Sequence, residues 1–368
     1  MRWFAIIGGL LVLVLLAALA APLFVNFDDY RARFEAEASR IFGQPVLVNG
    51  HISAQLVPFP SITLNDVQVG DSDNPLMEAS SLALFAELAP FLSGQIRIFD
   101  AQLNDPVLQL EMAEGWSPQG ALELPGLPSG VEVELENATI SNGRILVRDA
   151  VNAQTWTVEV SQAEVSANSL AGPWRVDAST IVQARRVDAK FTIGQIAAGA
   201  EMVSLFGDLQ FVDELTKLRI EGAVDLTQNG QFYDGTFTLS PVGELSTPYR
   251  IDGDFDVFAD RVLIDTLTGN FGDLDNPYVV RGNAELIGGA SPSYAIEVTG
   301  NQFGVAQAGN EQAADLGEAR SSGRVARIVE AIRTLPIPAE LPGTVKLDLP
   351  AVVLGGTIIR DLVLDARP

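Results

Sequence analysis

From Pro45 to the end of the chain, short runs alternate apolar and polar residues with a period of two. "SSLALFAEL" (80–88) sets Leu82, Leu84, Ala86 and Leu88 on one side. "VEVELENATI" (131–140) sets Val131, Val133 and Leu135 against Glu132, Glu134 and Glu136. The same pattern fills 217–226, 249–258, 278–287, 294–300 and 344–354, and Gly, Asn, Asp or Pro bounds each run. Period two puts alternate side chains on opposite faces of a strand, so one face is apolar and the other wet. A fold of this kind is mainly β, with antiparallel strands in a sheet that keeps one side in water.

Helical periodicity is confined to three places. "NFDDYRARFEAEASRIFGQP" predicts an amphipathic helix over 26–43, with Asp28 and Asp29 in its first turn and Gly43 and Pro45 ending it. Its expected role is to cap the end of the following sheet. "LAPFLSG" (88–94) reads as a short helical link. "GEARSSGRVARIVEAIRTLPIP" (317–338) carries Arg320, Arg324, Arg327 and Arg333 and reads as a helical insertion over 311–338 packed on the sheet. Strand–turn–strand units recur: "VGDSDNPLMEASSLAL" (69–84) is echoed by "FGDLDNPYVVRGNAEL" (271–286). Recurrence without compact punctuation predicts an elongated, curved, repeat-built sheet over 44–310, with a further repeat starting at 339–368.

Between Trp3 and Val25 no residue is charged. As a helix, that length crosses a hydrocarbon core, which needs about 20 apolar residues. Arg2 precedes the run, and Asp28 and Asp29 follow it. This predicts a single-pass anchor over 1–25, cytoplasmic at its N-terminus, with the body exported. Trp3, Phe4, Leu10, Leu13, Leu16, Leu23 and Phe24 are its expected lipid contacts. "AALAAP" (17–22) also offers a signal peptidase small residues, so cleavage is the alternative.

The remaining composition argues against most chemistry. Asp and Glu outnumber Lys and Arg 47 to 23, a formal net charge of −24, which repels nucleic-acid backbones. There is no cysteine, hence no disulfide or thiol chemistry. With one histidine, His51, and no cysteine, zinc would depend mainly on carboxylates. His51 reads as an ordinary strand residue. No Gly-x-Ser-x-Gly elbow, P-loop or dinucleotide fingerprint is present. The acids Asp66, Asp71 and Asp73 lack the spacing of a calcium loop and read as turn residues before Pro75. Along "PFPSITLNDVQVGDSDNP" (58–75), the alternation of Ile62 and Leu64 shifts phase to Val67 and Val69 across Asn65-Asp66, as in a bulged strand. No catalytic residue, metal or cofactor is expected, although paired carboxylates of a hydrolase meet in space and leave no mark in sequence.

The order of these parts resembles the AsmA family of Gram-negative bacteria, its alphaproteobacterial members especially. An N-terminal anchor and short helix lead into "FGQPVLVNGHISAQLVPFPSITLNDVQVGD" (42–71). The spaced residues Gly50, Ile52, Pro58, Pro60, Ile62, Leu64, Val67 and Val69 are similar to the start of that family's domain. "LAPFLSGQIRI" (88–98), "DPVLQLE" (105–111) and the repeat-like 341–368 continue the likeness. Family members are often much longer, and this chain stops in what reads as mid-repeat. The resemblance implies a β-groove in the periplasm, anchored in the inner membrane and akin to chorein-type lipid-transfer bridges, with no catalytic motif. It implies phospholipid as the bound partner, acyl chains in the groove, and a further partner in the periplasm or outer membrane. The groove candidates are Ile62, Leu64, Val67, Val69, Leu82, Leu84, Leu88, Ile96, Ile98, Leu108 and Leu110. The expected function is phospholipid transfer toward the outer membrane. A scaffold for outer-membrane protein assembly and an anchored hydrolase are the alternatives.

Overall fold

In a computed structural model, the structure describes residues 27–56, 59–92, 96–112, 131–149, 155–169, 171–197, 199–227, 231–243, 249–271, 277–288, 292–300, 342–354 and 357–366. The segment 1–26, which carries every expected anchor residue, and the segment 311–338, expected to be a helical insertion, lie outside them. Among the described residues no helix is long and apolar enough to cross a membrane.

The described chain is mainly strand. A 3-10 turn (Phe27–Tyr30) runs into helix α1 (Arg31–Phe42), and a short helix α2 (Leu88–Leu92) comes later. The strands fall into two compact units that divide at Ala198 and Gly199. The first holds β1 (Val46–Val48), β2 (Ile52–Gln55), β3 (Ser61–Gly70), β4 (Pro75–Ala86), β5 (Ile96–Asn104), β6 (Val107–Met112), β7 (Val131–Asp149), β8 (Thr155–Ala167), β9 (Trp174–Val182) and β10 (Arg185–Ile193). The second holds β11 (Met202–Phe211), β12 (Thr216–Asp225), β13 (Gln231–Pro241), β14 (Tyr249–Phe258), β15 (Arg261–Phe271), β16 (Tyr278–Ile287), β17 (Ser293–Gly300), β18 (Gly343–Leu354) and β19 (Thr357–Ala366).

In the first unit β1 and β2 lie end to end along β3. Val48 faces Val67 and Ile52 faces Leu64, so the β1–β2 side spends one more residue than β3 across Asn49-Gly50-His51. Asp66, opposite this bulge, takes φ 50°. The left-handed turn re-aims the side chains that follow, so Leu64, Val67 and Val69 are all buried despite their broken alternation. This is the phase shift expected from the sequence, now with its cause. β5 and β6 likewise lie end to end along β4, Asn104 facing Ser81 and Val107 facing Glu78, with Asp105 at φ 49° and Pro106 between them.

Two joints correct the expectation of a wholly antiparallel sheet. β7 runs parallel to β5, with Leu103 facing Ile140, and β18 runs parallel to β17, with Ile296 facing Val345. A parallel neighbour requires the chain to return to the starting end before pairing. Alternation reports which face is wet and carries no information about the direction of a neighbour, so the sequence pattern could not show this. The pairings from β7 through β10 and from β11 through β17, and of β18 with β19, are antiparallel.

Strand assignment also corrects one residue. The strand ends at Ala86, and Leu88 opens α2, where it is exposed rather than on the strand face with Leu82 and Leu84. Pro90 explains the change: it has no N–H for a ladder and suits the first turn of a helix.

The core of the first unit is a layer of helix on sheet. Val46, Val48, Ile52, Leu64, Val67 and Val69 are buried, and Phe27, Phe34 and Ala38 pack against them. Phe34 and Ala38 are four apart and share one helix face. At its other end α1 stops at Gly43 in the left-handed conformation (φ 66°).

Candidate functional site

Helix α1 touches the sheet with a second stripe. The Val46 N–H donates to Ser39 Oγ at 2.8 Å, and the Val48 N–H donates to Glu35 Oε1 at 2.9 Å. The Arg31 guanidinium donates to the Val48 carbonyl, and the Ile52 N–H donates to Asp28 Oδ1 at 3.1 Å. Asp28, Arg31, Glu35 and Ser39 recur at helical spacing, so one polar stripe satisfies backbone groups of β1 and β2 that β3 leaves unpaired. An open strand edge is a template for foreign strands, and here side chains occupy it. His51 has a role the sequence did not show. Its Nδ1 lies 2.8 Å from Asp28 Oδ2, and Arg31 pairs with Asp28 at 2.7 Å. The His51 hydrogen bond, with that from Ile52, holds the Asp28 carboxyl below its usual range.

The acidic turn at 70–75 is punctuation. Gly70 takes φ 102°, the Asp73 N–H donates to Asp71 Oδ1 at 3.1 Å, and the Asn74 N–H donates to the Asp71 carbonyl. Its echo at 272–276 lies outside the described residues, as does Pro58. Among the described residues no group of three or more His, Cys, Asp or Glu side chains is placed to hold a metal.

Of the groove candidates, Leu64, Val67 and Val69 are sealed in the core under α1, with Ile62 and Leu82 packed against it. Leu84 and Ile98 are half-buried on β4 and β5, Leu108 and Leu110 are half-buried on β6, and Ile96 opens β5 opposite Val131. Leu108 faces Met77, so β6 carries the same apolar face onward.

The second unit consists of strands and turns alone among the described residues. Its register fixes the faces. Leu218 stands opposite Leu209 and Leu239, and Leu239 opposite Ile251. Ile220 stands opposite Phe237, Val257 opposite Val262, and Ala284 opposite Ile296. These residues therefore share one face from strand to strand. Leu205, Ile220, Phe237, Phe255, Leu267 and Val298 on that face are only half-buried. A second packed layer would bury them, as α1 buries Val67.

The opposite face is charged. Asp208 accepts from Arg219 at 3.0 Å and pairs with Lys217 at 3.1 Å. Asp252 accepts from Thr238 at 2.7 Å and from Arg250 at 2.9 Å. The Arg219 and Arg250 hydrogen bonds hold Asp208 and Asp252 below the usual carboxylate range. Asp256 goes the other way: burial raises it, helped by Asp234 and Asp265.

The sequence reading missed a feature of the apolar face. Gly207, Gly222, Gly235, Gly253, Gly269, Gly282 and Gly300 fall one to a strand from β11 to β17. The register puts all of them on the apolar side. A Cβ on Gly222 would meet the Asp234 carbonyl oxygen at 2.2 Å, and one on Gly282 would meet that of Glu297 at 2.0 Å. On Gly253 it would meet the Phe237 ring at 2.6 Å. Interior glycine weakens a strand unless backbone or a ring comes close, and here both do. The signal was present in the sequence: each run from β11 to β17 carries one glycine in its apolar phase.

The fold and this site define a sheet protein with a charged face, an apolar face and a helix capping its first strand. Residues 3–123, which take in α1 and β1 to β6, match the model of the AsmA family. No curated protein matches the chain, and no solved structure does.

Proposed function

We propose that the protein binds phospholipid by its acyl chains on the apolar face and carries it between membranes from an inner-membrane anchor, with its body in the periplasm. One observation supports this above the others: the second unit's apolar face is continuous across its strands, backed by charge and half-exposed. An uncovered apolar surface of this extent needs an occupant, and single scattered apolar residues would not. The family match adds an independent reason, and the uncharged run at Trp3–Val25 supplies the anchor. Transfer on such a face is passive: chains slide over side chains while headgroups stay in water beside the charged side.

The test is mass spectrometry of lipid retained by the full chain after extraction in mild detergent. Wild type is expected to carry phospholipid. Leu267→Asp, on the apolar face, is expected to lose it, whereas Asp254→Asn, on the charged face, keeps it. Half-burial of Leu267 makes it a better probe than Val67, whose replacement would disrupt the packed core. Wild-type protein that carries no phospholipid would sink the reading.

A further inference from the structure

The Tyr233 hydroxyl is buried on the apolar face and has no hydrogen-bond partner among the described residues. The residue is only 7% exposed. Its position follows from the glycines beneath it. Gly222 and Gly235 face each other across β12 and β13. The hydroxyl oxygen lies 2.8 Å from where a Cβ would stand on either one. The tip of Tyr233 thus fills the space that two side chains would take. Phe255 lies against the Tyr233 ring with centroids 5.0 Å apart, and Phe237 meets Phe255 at 6.0 Å.

Phenylalanine would fill this seat short of one oxygen atom and bury no polar group, so the unpaired donor is a cost larger than the small contact it adds. The same face shows that a partner is possible. Tyr249, two strands from β12, shares a hydrogen bond of 2.9 Å with Thr216. Burial also raises the Tyr233 pKa, so the hydroxyl keeps its proton and remains a donor through the neutral range. What it lacks is an acceptor that enters an apolar environment. A charged phosphate would have to shed its water to come here, which is prohibitive. A hydrocarbon chain brings no acceptor. An ester carbonyl is neutral, accepts a hydrogen bond and is carried into such a place by its own acyl chain.

We propose that Tyr233 is a specificity-determining residue for diacyl glycerolipid. Its hydroxyl donates to an ester carbonyl of a lipid whose chains cross β12 to β14. The inference rests on the lipid-binding reading above and sharpens it. On binding, the ring lifts from Gly222 and Gly235, and the glycine floor that held its tip accepts part of the chain.

The full chain, extracted in mild detergent and stripped of lipid, is offered equal amounts of dioleoyl phosphatidylethanolamine and its diether analogue. The two differ in the ester carbonyls alone, and retained lipid is counted by mass spectrometry. Wild type is expected to retain the ester over the ether roughly tenfold, the scale of one hydrogen bond to an otherwise unpaired buried donor. Tyr233→Phe is expected to retain both equally. Equal retention of the two by wild type overturns the inference and leaves the lipid-binding reading standing. Retention of neither overturns both. A lipid-independent check is the thermal melt of the stripped protein. Tyr233→Phe is expected to melt at or above the wild-type temperature. A clearly lower midpoint would mean that the hydroxyl already has a partner, and would also overturn the inference.

Discussion

Gly282 shows how single residues shape this molecule. A methyl group there would stand 2.0 Å from the Glu297 carbonyl oxygen of the neighbouring strand. Backbone, unlike a flexible side-chain tip, cannot swing aside. Gly282→Ala is therefore expected to destabilise the protein by about 1–3 kcal/mol in chemical denaturation, the range for overpacking. Asn283→Ala, its exposed neighbour, should stay within about 0.5 kcal/mol of wild type. Asp256 gives a residue-scale prediction of opposite sign. Its folded pKa is raised, so its charged form is disfavoured in the native sheet. The folded state binds a proton more readily than the unfolded one, and the carboxylate opposes folding above its raised pKa. Asp256→Asn should raise the melting temperature at pH 7, and the gain should vanish as pH falls below 3.8. The Gln231 amide, 2.7 Å away, can still donate to the asparagine oxygen.

At the scale of elements, α1 does two jobs with two stripes. Phe34 and Ala38 close the core, while Asp28, Arg31, Glu35 and Ser39 occupy the edge of β1 and β2. Glu35→Ala and Ser39→Ala are each expected to cost about 0.5–1.5 kcal/mol, the scale of the one hydrogen bond each accepts from the edge of β1. The diagnostic readout is amide exchange, which should quicken at Val48 and Val46 respectively before it does on β3. Asp28 adds a pH dependence to the helix seat. A depressed carboxylate contributes stability above its unfolded value of 3.8 and loses it as pH falls through the lower folded value. The seat of α1 should therefore loosen below pH 3.8, read by exchange at Ile52. In Asp28→Asn this acid step should be missing. The sequence revealed the helix and its end at Gly43, though not its start, since Asp28 and Asp29 lie in a 3-10 turn before Arg31. It did not reveal the edge contacts, because a polar stripe on a helix reads as solvated until a strand lies beside it.

At the scale of the whole molecule, each unit consists mainly of sheet, one face charged and the other apolar. In the first unit the apolar face at β1 to β3 is filled by α1. In the second, no described helix plays that part. A bound lipid would supply the missing cover, and its removal should have a visible effect. Protein stripped of lipid is expected to self-associate or to bind an apolar dye, and adding phospholipid back should reverse this, as sizing and fluorescence would show. Unchanged size and no dye binding after stripping would argue that the face is already covered. The charged side is built to stay wet. The chain's net charge of −24 opposes association of like surfaces in general, and the apolar face is left as the route for contact.

Legible in the sequence were the strands, their wet and apolar sides, the phase break at Asp66, the turn at Asp71 and the start of a family domain. These are local matters: side-chain alternation, left-handed preference and turn chemistry act within a few residues. Tertiary structure was needed to show that β7 and β18 join in parallel, and that Val67 is core while Leu267 is half-open. It alone brought His51 to Asp28 and laid Tyr233 over two glycines. Those facts depend on which strand lies beside which, in what direction and register, and residue spacing along one strand is the same for every choice of neighbour.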